Sequence, residues 1–167
     1  ATVREAFYIA STGRPGPVLI DVPADISGSE MAFHYPGGVN LPSYRPTYKG
    51  NAKQIRQAVN ALKRSRRPLL YVGGGAVRSL AEAEVLTLAH TQQIPVVTTL
   101  MGKGVIEADD PMNLGNVGMH GSKYANKAMS ECDLLICVGA RFSDRVTGNL
   151  ATFAPDATVI HIDVDPA

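Results

Sequence analysis

Four short apolar runs constrain the fold of this chain more than any other feature. They read PLLYV, IPVVTT, DLLICV and TVIHIDV, and all lie after residue 51. Continuous apolar runs of this length are typical of strands buried on both faces. Helix-like patterns alternate with the runs, which predicts a parallel sheet covered by helices. We therefore expect a doubly wound α/β fold from about residue 51 onward, incomplete at its C-terminal end.

Three helices are predicted around these strands, each with a capping side chain at its start. They span residues 51–65, 79–90 and 122–131, with Asn51, Ser79 and Ser122 as the caps. In the first helix, Ile55, Val59 and Leu62 are predicted to face the core. The glycine-rich stretch 102–121 is predicted to be a loop.

The first fifty residues follow a different pattern. Residues 2–12 are predicted to form a helix, and GPVLIDVP is predicted to be a short buried strand that Pro23 closes. From Ser27 to Gly50 the chain is rich in Pro, Gly, Tyr and Ser and has no period, which is typical of a linker. We therefore expect a domain boundary there.

Composition excludes several classes of function. The net charge of +1 gives no general reason to expect nucleic acid or a membrane surface as a partner. The basic run Lys63–Arg67 ends a predicted helix, where cations complement the helix dipole. Two cysteines make neither a disulfide framework nor a metal site and suit a reducing, cytoplasmic setting. We see no run long enough to span a bilayer and no signal peptide.

The ends of the sequence are typical of a piece of a longer protein. Residue 1 lies inside an amphipathic pattern, and residue 167 directly follows an apolar alternation. We therefore expect further sequence on both sides.

Unusual residues follow the predicted strands where a parallel sheet binds ligands, at the carboxyl ends. Glycines 73–75 follow the first strand, residues 98–102 the second, 139–145 the third, and Asp163 ends the fourth. In addition, the segment GNVGMHGSK opens a helix, and its backbone N–H groups are predicted to be free to bind an anion. Together these segments predict a nucleotide site.

Each of these signals has a structural alternative. The three glycines could form only a tight turn, and they are not the dinucleotide fingerprint, because Arg78 stands where a glycine is needed. This argues against an ordinary nicotinamide dehydrogenase. Met119 and His120 could be core residues, and Asp163 could cap a turn. In the same way, Arg141, Asp144 and Arg145 could form a surface ion-pair cluster.

Several stretches resemble the catalytic subunit of acetohydroxyacid (acetolactate) synthase, a thiamine-diphosphate enzyme. They are GRPGPVLIDVPADI, LLYVGGGA, IPVVTTLMGKG, LGNVGMHGSKYANKAMSECDLLICVGARFSDRVTG and VIHIDVDPA. The likeness covers nearly the whole chain. It implies that residues 1–27 end a pyrimidine-binding domain, 28–50 are a linker, and 51–167 belong to a Rossmann-like central domain that binds FAD.

The resemblance also implies which residues contact FAD. Carried over position by position, they are Arg14, Gly73, Gly74, Gly75, Thr99, Leu100, Met101, Val117, Gly118, Met119, His120, Gly139, Arg141, Asp144, Arg145, Val146, Asp163 and Val164. The chain departs from the family at two positions. Ser143 stands where the family usually has an acid, and Ala24 where it usually has a lysine.

By the same resemblance, the parent enzyme decarboxylates pyruvate with thiamine diphosphate and joins the product to a second 2-oxo acid. The resemblance assigns no catalytic residue and no metal ligand to this stretch, so thiamine diphosphate and magnesium are expected in the full-length parent only. The 167 residues alone should make no acetolactate. A homo-oligomer and a small regulatory subunit are further implications.

Three alternatives stay open at this point. The same central domain occurs in thiamine enzymes such as pyruvate oxidase and glyoxylate carboligase. A sirtuin-like nucleotide-binding module is a more distant alternative, although such proteins usually carry four zinc-binding cysteines. A structural or regulatory domain is the third.

Overall fold

The computed structural model describes residues 1–165, which divide into two compact units. One unit comprises residues 1–50 together with 164–165, and the other comprises Asn51–Asp163. The helices are α1 (Thr2–Ser11), α2 (Ala24–Ser27), α3 (Ala52–Arg64), α4 (Gly74–Arg78), α5 (Glu82–Gln92), α6 (Lys123–Glu131) and α7 (Asp144–Thr147). No helix in this part of the chain is both long and apolar enough to cross a membrane.

The larger unit is built on a five-stranded, all-parallel sheet, which confirms the predicted α/β fold class. Its strands are β1 (Pro68–Val72), β2 (Val96–Thr98), β3 (Asn113–Asn116), β4 (Leu134–Val138) and β5 (Thr158–Ile162). Their order across the sheet is β3-β2-β1-β4-β5. The central strand β1 therefore has β2 and β3 on one side and β4 and β5 on the other.

Helices cover both faces of this sheet. Successive side chains of a strand point to opposite faces, so each central strand contributes to two cores. Leu69 and Tyr71 of β1 pack into one core, which also contains Ala125 and Met129 of α6. Leu70 and Val72 pack into the other, with Val85 and Ala89 of α5. This two-sided burial explains why β1, β2 and β4 read as continuous apolar runs, whereas the predicted burial of β5 is wrong, because most of its residues are exposed.

Two of the three predicted helix caps are confirmed. The side chain of Asn51 accepts hydrogen bonds from the N–H groups of Lys53 and Gln54, and the hydroxyl of Ser122 accepts one from Ala125. The predicted inner face of the first helix is only partly right. Ile55 and Val59 are exposed, whereas Leu62 packs against the core.

The predicted helix from Ser79 to His90 is confirmed in its body, because α5 covers Glu82–Gln92, but the prediction that Ser79 caps it is wrong. A short helix, α4, starts directly after β1, and Ser79 ends it by donating its hydroxyl proton to the carbonyl oxygens of Gly75 and Ala76. The chain then breaks at Leu80, whose φ is +55°, before α5 begins at Glu82. Residues 79–81 therefore connect two helices.

The predicted loop 102–121 contains the edge strand β3, which the sequence analysis missed. Its residues, NLGN, lack an apolar run, and none of them is fully buried. They are extended because they pair with β2, with a register shift between Val96 and Val97. Pairing rather than intrinsic preference makes this segment a strand.

In the smaller unit, helix α1 matches the predicted helix at 2–12, but the predicted buried strand GPVLIDVP is wrong. Residues 16–23 pair with no strand among the described residues, and Leu19 is 89% exposed. A strand needs a partner for its backbone groups, and an apolar run alone does not supply one.

At the amino ends of the strands, Asp133 joins α3, β1 and β4. Its carboxylate accepts hydrogen bonds from the hydroxyl of Ser65 and from the N–H groups of Arg66 and Arg67. These donors, that of Ser65 foremost, lower the pKa of Asp133. Asp133 therefore ties the residues before β1 to those before β4 at the amino edge of the sheet.

Candidate functional site

The carboxyl edge of the sheet has a topological switch point between β1 and β4. From β1 the chain proceeds to β2 and β3 on one side, and it then returns to place β4 on the other side of β1. Loops that leave two such strands turn in opposite directions and open a crevice between them. The loops after β1 and β4 carry Gly73–Gly75 and Gly139–Arg145.

These two loops touch through their backbones. The N–H of Gly75 donates to the carbonyl oxygen of Gly139 over 2.9 Å. A Cβ on Gly73 would lie 2.6 Å from the Cα of Ala140, and one on Gly139 would lie 2.6 Å from the Cα of Gly75. These glycines are therefore needed for close backbone packing. Gly73–Gly75 also form more than a tight turn, because α4 begins at Gly74.

The segment after β2 lies beside the same glycines. Thr99 accepts a hydrogen bond from the N–H of Gly102 through its hydroxyl, which closes a single helical turn over Leu100–Gly102. A Cβ on Gly74 would lie 2.9 Å from the Cβ of Met101. The turn leaves Leu100 72% and Met101 68% exposed.

The segment after β3 packs on the loop after β4. The N–H of Met119 donates to the carbonyl oxygen of Arg145 over 3.1 Å, and a Cβ on Gly118 would lie 3.3 Å from the Cα of Val146. Val117 is buried, whereas Met119 is 76% exposed and His120 is also exposed. The alternative reading of Met119 and His120 as core residues is therefore wrong.

The prediction of free N–H groups in this segment is also wrong for six of its residues. Each donates to a neighbouring group: Gly115 to the side-chain oxygen of Asn113, Val117 to Thr98, Gly118 to the side-chain oxygen of Asn126, Met119 to Arg145, Gly121 to Gly118, and Ser122 to Asn116. These acceptors cannot be identified from the sequence, because they come together with the donors only in the folded protein. The segment is thus ordered by its own hydrogen bonds and does not offer these donors to an anion.

The loop after β4 presents two guanidinium groups. Arg141 and Arg145 are exposed, and neither side chain forms a hydrogen bond or an ion pair with another described residue. Asp144 accepts a hydrogen bond from the backbone N–H of Arg145. The alternative of a surface ion-pair cluster is therefore wrong, and Val146 anchors the loop by packing on the core.

The last strand contributes His161 and Asp163 at the same edge. Nε2 of His161 lies 2.9 Å from the carbonyl oxygen of Ala140 and 3.6 Å from Oδ2 of Asp163. The N–H of Gly139 donates to the carbonyl oxygen of Ile162. The end of β5 is thereby fixed to the loop after β4.

Two predicted cofactor residues, Arg14 and Val164, belong to the smaller unit. There Nη1 of Arg14 donates to Oδ2 of Asp165 over 2.9 Å, and both side chains are partly exposed. Their role in cofactor binding stays a prediction. The other sixteen predicted residues lie in the larger unit, on the segments just described.

The sequence analysis assigned no role to three polar residues around this edge. Tyr71 donates its hydroxyl proton to the carbonyl oxygen of Arg141 over 3.2 Å, and His161 contacts Ala140. Asn116 carries a buried side-chain oxygen that has no partner among the described residues. A signal was present for the first two, because a tyrosine and a histidine inside apolar strands need partners for their polar atoms.

Three titratable groups buried in the core of the larger unit stay neutral at neutral pH. Burial raises the pKa of Tyr71 well above its usual value, and it raises the pKa of Cys132 to about 11 and that of Cys137 to about 12. Neither thiol is therefore a thiolate at neutral pH, so neither is activated as a nucleophile.

These features suit binding better than proton transfer. Exposed apolar side chains stand beside two guanidinium groups that have no partner within residues 1–165, and a carboxylate follows the last strand. This set of groups fits a ligand that joins flat apolar rings to a diphosphate and ribose, as FAD does. The chemistry of the donor set therefore agrees with the cofactor that the resemblance implies.

Comparison with known proteins identifies the family. Residues 55–167 match the model described as "Thiamine pyrophosphate enzyme, central domain". The chain is 52% identical to the "Probable acetolactate synthase large subunit" of Methanocaldococcus jannaschii, over 99% of this chain and 29% of that protein. It is 54% identical to the "Acetolactate synthase large subunit" of Porphyra purpurea, over 99% of this chain and 28% of that protein.

A third relative, the "Acetolactate synthase large subunit" of Corynebacterium glutamicum, is 48% identical over 98% of this chain and 26% of that protein. The chain thus spans less than a third of the length of these relatives. With more than half of its residues matched by one family model, the chain belongs to the thiamine pyrophosphate enzymes and carries their central domain.

Proposed function

We propose that this chain is the FAD-binding stretch of an acetolactate synthase large subunit. The observation that carries the proposal is the pairing of exposed apolar side chains with unpartnered guanidinium groups at one edge of the sheet. Leu100, Met101 and Met119 expose most of their surface there, and Arg141 and Arg145 have no partner among the described residues. The names of the three relatives above support the acetolactate synthase part of this proposal, since each is called an acetolactate synthase large subunit, one of them a probable one.

In this proposal the larger unit holds FAD along the carboxyl edge. Arg141 and Arg145 bind the diphosphate, because charge-assisted hydrogen bonds to phosphate oxygens are strong. The three exposed apolar side chains provide the walls for the rings. The carboxylate of Asp163 accepts hydrogen bonds from ribose hydroxyls. Residues 117–120 line the same crevice, held by their internal hydrogen bonds.

The full-length protein, in the same proposal, condenses pyruvate with a second 2-oxo acid. Thiamine diphosphate, bound with magnesium outside this stretch, supplies the carbanion chemistry. Residues 1–27 then end a pyrimidine-binding domain, 28–50 form a linker, and 51–167 are the central domain. Bound FAD serves at least partly as a structural element. A cytoplasmic homo-oligomer with a regulatory subunit completes the proposal.

The flavin spectrum of the full-length protein tests this function against that of a pyruvate oxidase. With thiamine diphosphate, magnesium and pyruvate under anaerobic conditions, we expect acetolactate to form while the flavin absorption bands persist. A matched sample without thiamine diphosphate should form no acetolactate. Rapid bleaching of the flavin by pyruvate would instead identify an oxidase, and a protein that binds no flavin would contradict the proposed site.

A further inference from the structure

The segment Ala140–Phe142, which carries Arg141, is held from two different strands. The carbonyl oxygen of Ala140 lies 2.9 Å from Nε2 of His161 on β5. The carbonyl oxygen of Arg141, the next residue, accepts the hydroxyl proton of Tyr71 on β1 over 3.2 Å. Two consecutive carbonyl groups are thus fixed by side chains from opposite sides of β4.

The ring of Phe142 is held by the same two side chains. Its centroid lies 5.3 Å from that of His161, edge to face, and 6.1 Å from that of Tyr71. Phe153 adds a third ring at 6.0 Å. Edge-to-face rings at these distances attract one another, so they restrain Phe142 in addition to the two hydrogen bonds.

The geometry also indicates which nitrogen of the His161 ring acts as the hydrogen-bond donor. A carbonyl oxygen only accepts hydrogen bonds, so Nε2 of His161 must carry the proton in this contact. Oδ2 of Asp163 lies 3.6 Å from the same nitrogen. His161 therefore acts as a donor that ties the end of β5 to the residue preceding Arg141.

We propose that His161 is a positioning residue for FAD, acting through Arg141. An exposed arginine has many rotamers, and a fixed backbone at its base lowers the cost of ordering its guanidinium on a phosphate. His161 provides that fixed backbone through Ala140 and Phe142. The inference rests on the proposed FAD site and names a residue that supports the site without touching the cofactor.

A double-mutant cycle in the full-length protein tests this proposal, with FAD affinity as the readout. His161→Phe keeps an aromatic ring against Phe142 but removes the donor, and we expect the FAD dissociation constant to rise about three- to tenfold. In an Arg141→Ala background the same change should raise it less than about twofold, because the group that His161 positions is absent. His161→Gln, which keeps a donor, should restore much of the affinity.

A control on the same strand separates positioning from general stability. Val159 is half exposed on β5, and Val159→Thr should leave FAD affinity unchanged. Equal effects of His161→Phe with and without Arg141 would overturn the positioning role, as would unchanged affinity in His161→Phe. If the wild-type protein did not bind FAD, the proposed function itself would be contradicted. The experiment therefore distinguishes failure of the proposed function from failure of the positioning role of His161.

Discussion

Replacing Gly139 with alanine is expected to prevent the larger unit from folding. The φ of Gly139 is +56°, in the left-handed region, and an added Cβ would lie 2.5 Å from the backbone nitrogen of Ala76 and 2.6 Å from the Cα of Gly75. Neither contact is with a flexible side chain, so the loops after β1 and β4 would have to separate. We expect a loss of more than ~4 kcal/mol, within the exceptional range for one substitution.

Gly148 offers a matched control for this prediction. Its φ is +55°, but an added Cβ would meet nothing within 4 Å. Gly148→Ala should therefore cost only backbone strain, about 1–3 kcal/mol, since its φ of +55° and ψ of −122° favour glycine. Soluble yield and melting temperature of the full-length variants, measured without FAD, compare the two. Similar behaviour of both variants would contradict the close packing of the two loops.

Replacing Arg141 with alanine should weaken FAD binding by about ten- to a hundredfold. A hydrogen bond that involves a charged group contributes roughly 1.5–3 kcal/mol, which converts to that change in the dissociation constant. Without FAD, the melting temperature should hardly change, because the guanidinium has no partner among the described residues. Titration of the apo-protein with FAD, followed by flavin fluorescence, measures the affinity.

Arg78 is the control for Arg141. Arg78 is the last residue of α4, and its side chain is exposed. Arg78→Ala should leave FAD affinity within about twofold of the wild-type value, as is usual for an exposed side chain outside a binding site. An equal or larger effect at Arg78 would show that the wrong arginine had been assigned to the cofactor.

Four of the five strands could be predicted because their own residues carry the signal. β1, β2, β4 and β5 are apolar runs, whereas β3 is polar and becomes a strand only through its pairing with β2. The caps at Asn51 and Ser122 are local and were predictable. The break at Leu80 depends on how α4 follows β1, which no local pattern reveals.

The place of the candidate site could be predicted better than its internal bonds. A parallel sheet brings the carboxyl ends of its strands to one edge, so the positions of Gly139 and Met101, which follow predicted strands, followed from the order of the elements. The acceptors that consume the N–H groups of Gly118 and Met119 lie elsewhere in the sequence, at Asn126 and Arg145. Such pairings become visible only when the loops are folded together.

Hydrogen exchange of the full-length apo-protein with and without FAD tests the central claim, that the cofactor lies along the carboxyl edge of this sheet. FAD should slow amide exchange in segments 99–101, 117–120 and 139–146. It should leave exchange unchanged at the opposite edge, in segments 65–67 and 131–133, which the hydrogen bonds of Asp133 tie together. Protection at the amino edge, or tight FAD binding without protection at the carboxyl edge, would contradict the account.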